Sequence, residues 1–139
     1  MIDFKEFRIY AESEASKKAA ELFAEEIELR TGAKPSFTDN KRDANFVFET
    51  DSSIGRDGYA IHCGADSVVV TASGIRGFIF GYGRFLRKIV PVYGVPSLCE
   101  DITGVYSPDK PIRGHQIGYR TTPNTYDAWS YDDYRRYYL

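Results

Sequence analysis

The sequence predicts an α+β fold, in which two helices cover one face of a mainly antiparallel or mixed sheet of four to five strands. One observation is the order of patterns along the chain, which runs strand, helix, several short strands, helix. A second is the apolar side of each predicted helix, which repeats at helical spacing and needs a sheet to pack against. A third is the β-branched run 68–70, which is typical of a buried strand.

The first predicted helix follows directly on the first predicted strand. Residues 4–10 predict that strand, and residues 13–30 predict the helix. Ser13 is a suitable N-cap, and Gly32 lies where a left-handed residue ends many helices. The apolar side of the helix consists of Ala19, Ala20, Leu22, Phe23 and Ile27.

Further short strands are predicted between the two helices. Residues 34–38 and 45–50 read as strands on either side of a polar turn. Residues 58–63 and 67–72 read as a hairpin with a glycine-containing turn.

The second predicted helix covers residues 75–89 and is expected to end before Pro91. Several glycines accompany it, and glycines between a strand and a helix can form a phosphate-binding turn. Their spacing matches neither GxGxxG nor a P-loop, whereas Gly77 and Gly81 are four residues apart and share one helix face. We therefore predict that these two glycines permit close packing of the helix.

Composition excludes several classes of partner. The 139 residues are 42% hydrophobic and 15% aromatic, which indicates a folded globular chain. A net charge of −2 gives no electrostatic footprint for nucleic acid, and the mixed charges give no attraction to a membrane surface. No apolar run approaches the roughly 20 residues of a spanning helix. No signal peptide is recognisable, so a cytoplasmic protein and a secreted or periplasmic one whose signal was removed both fit.

The cysteines and histidines do not suggest a metal site or a cofactor. The two cysteines form no CxxC pair, and the two histidines are far apart. We predict that Cys63 is a small buried apolar residue, with a disulfide to Cys99 as the alternative.

The C-terminal part of the chain differs in character from the rest. Residues 92–112 are rich in proline and are predicted to form an extended connector. Residues 112–120 read as a strand with polar side chains, including His115, which bind a polar ligand or belong to a larger polar interior. Ser130 and Asp133 match a capping box for a last helix. Its aromatic residues suit either a sugar or a packing partner, and the chain ends so early in this helix that we expect a longer protein.

Two groups of residues resemble the accessory domain that precedes the catalytic barrel in several glycoside hydrolases. The first is the stretch 59–89, with a strand, Ser73-Gly74, Arg76-Gly77 and an aromatic-rich helix. The second is Pro111-Ile112-Arg113-Gly114. The enzymes that it resembles are family 20 β-N-acetylhexosaminidases, family 67 α-glucuronidases and α-N-acetylglucosaminidases.

The resemblance implies a division into three parts. Residues 1–91 would be a non-catalytic α+β domain, residues 92–112 a connector, and residues 113–139 the first strand and the start of the first helix of a truncated (β/α)8 barrel. Active sites of such barrels lie at the C-terminal ends of the strands. The resemblance thus implies that Tyr119 and Arg120 lie nearest the sugar.

The function expected from this resemblance is that of a domain that supports a catalytic barrel. The fragment itself would be inactive, the longer protein would be a glycoside hydrolase, and its partners would be the downstream barrel and a carbohydrate substrate. The alternative is a stand-alone carbohydrate-binding or protein-interaction module. A small stand-alone enzyme is a third hypothesis, but no catalytic set is recognisable.

Overall fold

A computed structural model describes residues 1–114 and 129–138 as two compact units, Met1–Pro108 and Asp109–Leu139. The first unit contains nine strands and two α-helices in its described residues. In chain order they are β1 (Ile2–Asp3), β2 (Arg8–Ala11), α1 (Glu14–Thr31), β3 (Ser36–Phe37), a 3-10 helix (Lys41–Asp43), β4 (Phe46–Thr50), β5 (Tyr59–Cys63), β6 (Val68–Ala72), α2 (Ile75–Leu86), β7 (Ile89–Val92), β8 (Val95–Leu98) and β9 (Gly104–Tyr106).

The main sheet is mixed and has six strands in the order β3-β2-β4-β6-β5-β9. The pairs β2–β3, β2–β4 and β4–β6 are parallel, whereas β5 pairs antiparallel with both β6 and β9. A second, antiparallel sheet has the order β1-β8-β7. The predicted α+β class is confirmed, with more strands than the four to five expected.

The core lies between the main sheet and the two helices. Phe46 and Phe48 of β4 project toward Phe23 of α1, and Phe48 also contacts Phe78 of α2. All four rings are fully buried. Alternate residues of a strand point to opposite faces, so the helices cover one face of the sheet, as predicted.

Helix α1 has the predicted caps at both ends. Ser13 and Ser16 form a capping box, in which the Ser16 amide donates to Ser13 Oγ and the Ser13 amide donates to Ser16 Oγ. Gly32 has a φ of 73° and donates its amide to the carbonyl of Glu28. A positive φ suits glycine because it has no Cβ.

We expect Ser13→Ala to lower the free energy of unfolding by about 1 kcal/mol, because the N-terminal amides of α1 lose their cap. Ser13 Oγ also lies 2.9 Å from Thr50 Oγ1, so the variant loses a link to β4 as well. Urea denaturation followed by circular dichroism measures the change. Ser52→Ala is the control, since Ser52 is exposed and lies outside both helices. Equal stability of the two variants would contradict the capping role.

The structure differs from the prediction after residue 86. Helix α2 ends at Leu86, three residues before the predicted end, and Pro91 lies within strand β7 instead of ending the helix. Pro91 and Pro96 face each other in the β7–β8 pair. Strand β7 is the edge of its sheet, where proline is tolerated because one side of the backbone needs no partner.

The proline-rich stretch 92–112, predicted as a connector, carries strands β8 and β9. Strand β8 lies between β1 and β7, and β9 extends the main sheet beside β5. Local sequence patterns missed both strands. Strand β9 pairs with β5, which is distant in the sequence, and strand β8 pairs its own proline with a proline of β7.

Candidate functional site

The residues predicted to contact a sugar, His115, Tyr119 and Arg120, lie outside the described residues. Their roles therefore stay predictions. Three other features stand out in the described residues: a groove on the sheet, the glycine-rich side of α2 and an arginine beside β9.

An open groove of about 640 Å³ crosses the face of the main sheet opposite the helices. Its lining combines polar and small side chains of β4, β5, β6 and β9 with the loop after β4, namely Glu49, Asp51, Ser53, Ile54, Gly55, Ala60, Thr71, Val105 and Ser107. Glu49, Thr71, Ala60 and Val105 are register partners across four strands. The groove is therefore a continuous feature of the sheet.

Both carboxylates that line this groove already interact with structural partners. Glu49 forms an ion pair with Lys41 of the 3-10 helix, which raises the pKa of Lys41. Asp51 Oδ1 accepts a hydrogen bond of 2.8 Å from the Ser53 amide, and the hydrogen bonds from Ser53 lower the pKa of Asp51. A glycosidase acid needs a raised pKa to stay protonated, so Asp51 is unsuited to that role.

A further acidic side chain, Asp101, is also held in its ionised form. Its Oδ1 accepts a hydrogen bond of 2.9 Å from the Thr103 amide. Hydrogen bonds from Thr103 lower the pKa of Asp101, with smaller contributions from Cys63 and His62. Cys63 is half-buried and not buried as predicted, and both cysteines are free thiols. His62 is exposed on β5.

The glycines of α2 have the packing role that the sequence predicted for them. A Cβ on Gly77 would lie 2.4 Å from the carbonyl oxygen of Gly58 and 2.8 Å from Cβ of Ala72. A Cβ on Gly81 would lie 2.4 Å from Cγ1 of Val70 and 3.3 Å from the Tyr59 ring. Both glycines thus let α2 approach strands β5 and β6 more closely than any side chain would allow.

Sequence analysis missed a stack of side chains at the β9 edge of the sheet. The Tyr59 and Tyr106 rings are parallel within 25°, with centroids 5.0 Å apart. The guanidinium carbon of Arg84 on α2 lies 4.1 Å from the centroid of the Tyr106 ring, which is a cation–π contact. Tyr106 falls in the predicted connector, so no local pattern could have brought it next to Arg84.

The described part of the second unit contains helix α3 (Tyr131–Tyr138). The predicted capping box is confirmed, because the Ser130 amide donates to Asp133 Oδ2 at 2.9 Å and the Asp133 amide donates to Ser130 Oγ at 3.3 Å. The hydrogen bonds from Ser130 lower the pKa of Asp133. Trp129 contacts the rings of Tyr134 and Tyr137, each at 5.3 Å between centroids.

Residues 1–114 and 129–138 contain neither a metal-binding cluster nor a membrane-spanning helix. No group of three or more His, Cys, Asp or Glu side chains is arranged to hold a metal ion. No helix in this part of the chain has the length and apolar character needed to cross a membrane.

Comparison with known families decides what kind of domain this is. The family model described as glycosyl hydrolase family 20, domain 2, matches residues 4–98, which is more than half of the chain. The chain belongs to this domain 2 family. The match spans α1, α2 and seven of the nine strands, so the resemblance recognised in the sequence is confirmed. No curated protein sequence matches the chain significantly.

Solved structures of family 20 enzymes share the fold of this domain 2 chain. An exo-β-N-acetylglucosaminidase from Vibrio harveyi aligns with a TM-score of 0.62 and 13% identity, over 70% of this chain and 16% of that one. A β-hexosaminidase from Streptomyces plicatus gives 0.57 and 17%, over 65% and 18%. A β-N-acetylhexosaminidase from Bacteroides fragilis gives 0.55 and 17%, over 76% and 19%. The chain therefore spans less than a fifth of the length of each of these three structures.

Proposed function

We propose that this chain is the non-catalytic domain 2 of a longer glycoside hydrolase that acts on glycans, and that it supports the catalytic barrel. The observation that carries the proposal is the family match over residues 4–98. The pairing of Glu49 with Lys41 and the lowered pKa of Asp51 and Asp101 also support it. These carboxylates serve as structural acceptors, so the chemistry is assigned to another part of the longer protein.

The proposal includes the barrel expected downstream. Residues 113–139 would begin that barrel, and Tyr119, Arg120 and His115 would lie toward the sugar. The solved relatives are N-acetylglucosaminidases and hexosaminidases by name. A glycoside of N-acetylglucosamine is therefore the first substrate to test.

We expect the 139-residue chain to leave 4-nitrophenyl N-acetyl-β-D-glucosaminide intact, while the longer protein hydrolyses it. Deleting residues 1–108 from the longer protein should lower the unfolding temperature of its catalytic part by several degrees, because that part loses about 1–2 kcal/mol of packing free energy. Release of nitrophenol and a thermal melt are the two measurements. Turnover by the chain alone, or a catalytic part that melts unchanged after the deletion, would contradict the proposal.

A carbohydrate-binding module is the second candidate, and the ring cluster of Trp129, Tyr134 and Tyr137 favours it. Tyr137 is 49% exposed, and aromatic rings with polar tips suit sugars. Trp129 is the only tryptophan of the chain, so its fluorescence reports on this cluster alone. A saturable change in Trp129 fluorescence on titration with N-acetylglucosamine oligosaccharides would favour a carbohydrate-binding module over a domain that only supports the barrel.

A further inference from the structure

Arg84 in the last turn of α2 and Arg87, the residue directly after the helix, have no carboxylate partner among the described residues. Arg76 near the start of the helix pairs with Asp57 at 2.9 Å, and Lys88 after its end pairs with Glu100 at 2.9 Å. Arg84 and Arg87 form no such ion pair within residues 1–114 and 129–138. Like charges at this spacing repel each other, so the pair costs stability unless an anion joins it.

The Arg84 side chain is held in one place by its neighbours. Its guanidinium stacks on the Tyr106 ring at 4.1 Å, and Tyr106 is itself fixed by stacking on Tyr59 and by donating its hydroxyl to the carbonyl of Ile102 at 3.0 Å. The Nε atom of Arg84 is buried and has no hydrogen-bond acceptor in the described part of the chain. A buried donor without an acceptor is costly, and here it belongs to a cation that is already oriented.

Arg87 and the Tyr59 hydroxyl complete the arrangement. One guanidinium nitrogen of Arg87 lies 3.4 Å from the position that a Cβ of Gly83 would take, so the side chain runs back along the helix over Gly83, the neighbour of Arg84 in the sequence. Arg84 is within side-chain hydrogen-bond reach of the Tyr59 hydroxyl, and both guanidiniums act on Tyr59 electrostatically. Burial raises the pKa of Tyr59, and Arg84 and Arg87 oppose the rise. Tyr59 is therefore protonated at neutral pH and can donate a hydrogen bond.

We propose that Arg84, Arg87 and Tyr59 form a binding site for a carboxylate group. A guanidinium presents its donors in a planar fork that matches the two oxygens of a carboxylate. The carboxylate belongs either to an acidic sugar or to an aspartate or glutamate side chain, and this site is independent of the function proposed above.

The test is a titration of the 139-residue chain, followed by the NMR signals of the arginine Nε–H groups. The probes are methyl β-D-glucuronide for the sugar and N-acetylglutamate N-methylamide for the side chain, at constant ionic strength. Methyl β-D-glucoside is the uncharged control. We expect a saturable shift of the Arg84 signal with at least one acidic probe, at a dissociation constant on the order of a few millimolar. The tighter of the two acidic probes identifies the source.

Arg87→Gln and Tyr59→Phe are the decisive variants, because an exposed side chain and a single hydroxyl can be changed without removing the Tyr59–Tyr106 stack. Each variant should raise the dissociation constant of the acidic probe by about tenfold, because it removes one charge-assisted or buried hydrogen bond. Arg42→Gln, an exposed arginine on the 3-10 helix, should leave binding unchanged. The proposal is overturned if neither acidic probe gives a saturable shift, if the uncharged glucoside binds equally well, or if Arg42→Gln weakens binding as much as Arg87→Gln.

Discussion

Gly77→Ala should lower the free energy of unfolding by about 2–3 kcal/mol, which places it among the most damaging single-methyl changes available in this chain. The new Cβ would lie 2.4 Å from the carbonyl oxygen of Gly58 and 2.8 Å from Cβ of Ala72. The first contact is with backbone, which cannot rotate away as the end of a side chain can. Helix α2 must therefore move off strands β5 and β6, and the loss of packing exceeds the gain in helix propensity. Urea denaturation followed by circular dichroism measures the change.

Gly83→Ala is the matched control, because it makes the same substitution on the same helix. Its Cβ would meet only the guanidinium end of Arg87, at 3.4 Å, which can move aside. Alanine stabilises a helix interior by about 0.5–1 kcal/mol relative to glycine. The two variants should therefore change stability in opposite directions. If Gly77→Ala were as stable as Gly83→Ala, the close approach of α2 to the sheet would be wrong.

The parts of the fold that could be predicted from the sequence are those in which local chemistry decides the structure. Helix α1 was placed within one residue at each end because Ser13 and Gly32 mark its caps. The β5–β6 hairpin was predicted because its strands are joined by a short glycine-containing turn. In each case the partners lie close together in the sequence, so the pattern contains the information.

Pairings between distant segments could not be predicted in this way. Strands β3 and β4 were predicted as strands separated by a polar turn, yet they lie on opposite sides of β2 and do not pair with each other. Strand β9 was not predicted, because Gly104–Tyr106 is short and lies between prolines. The arginine stack was missed for the same reason, since it needs Tyr106 beside Tyr59, a separation of almost fifty residues.

Aromatic rings concentrated at one point of the core join the two α-helices of the first unit to its main sheet. Phe23 on α1 contacts aromatic rings from three other parts of the chain, namely the segment before β2, strand β4 and helix α2. Its centroid lies within 6.2 Å of the rings of Phe7, Phe46, Phe48, Tyr82 and Phe85. Pairs of rings in stacked or edge-to-face contact stabilise by more than their buried area alone. Phe23 is therefore where the helices and the sheet are joined.

Phe23→Ala should lower the free energy of unfolding by about 3–5 kcal/mol, because it leaves a cavity that five surrounding rings cannot fill. Domains of this size are stable by only about 5–15 kcal/mol, so much of the variant should be unfolded at moderate urea concentration. Phe37→Ala is the control, since Phe37 lies on the edge strand β3 and is 57% exposed. It should change stability by less than about 1 kcal/mol. Because α1 and α2 both meet the sheet through the Phe23 ring, the Phe23→Ala variant should lose both helices in one unfolding transition. Circular dichroism measures this transition. A signal in which one helix persists after the other is lost would count against a single core.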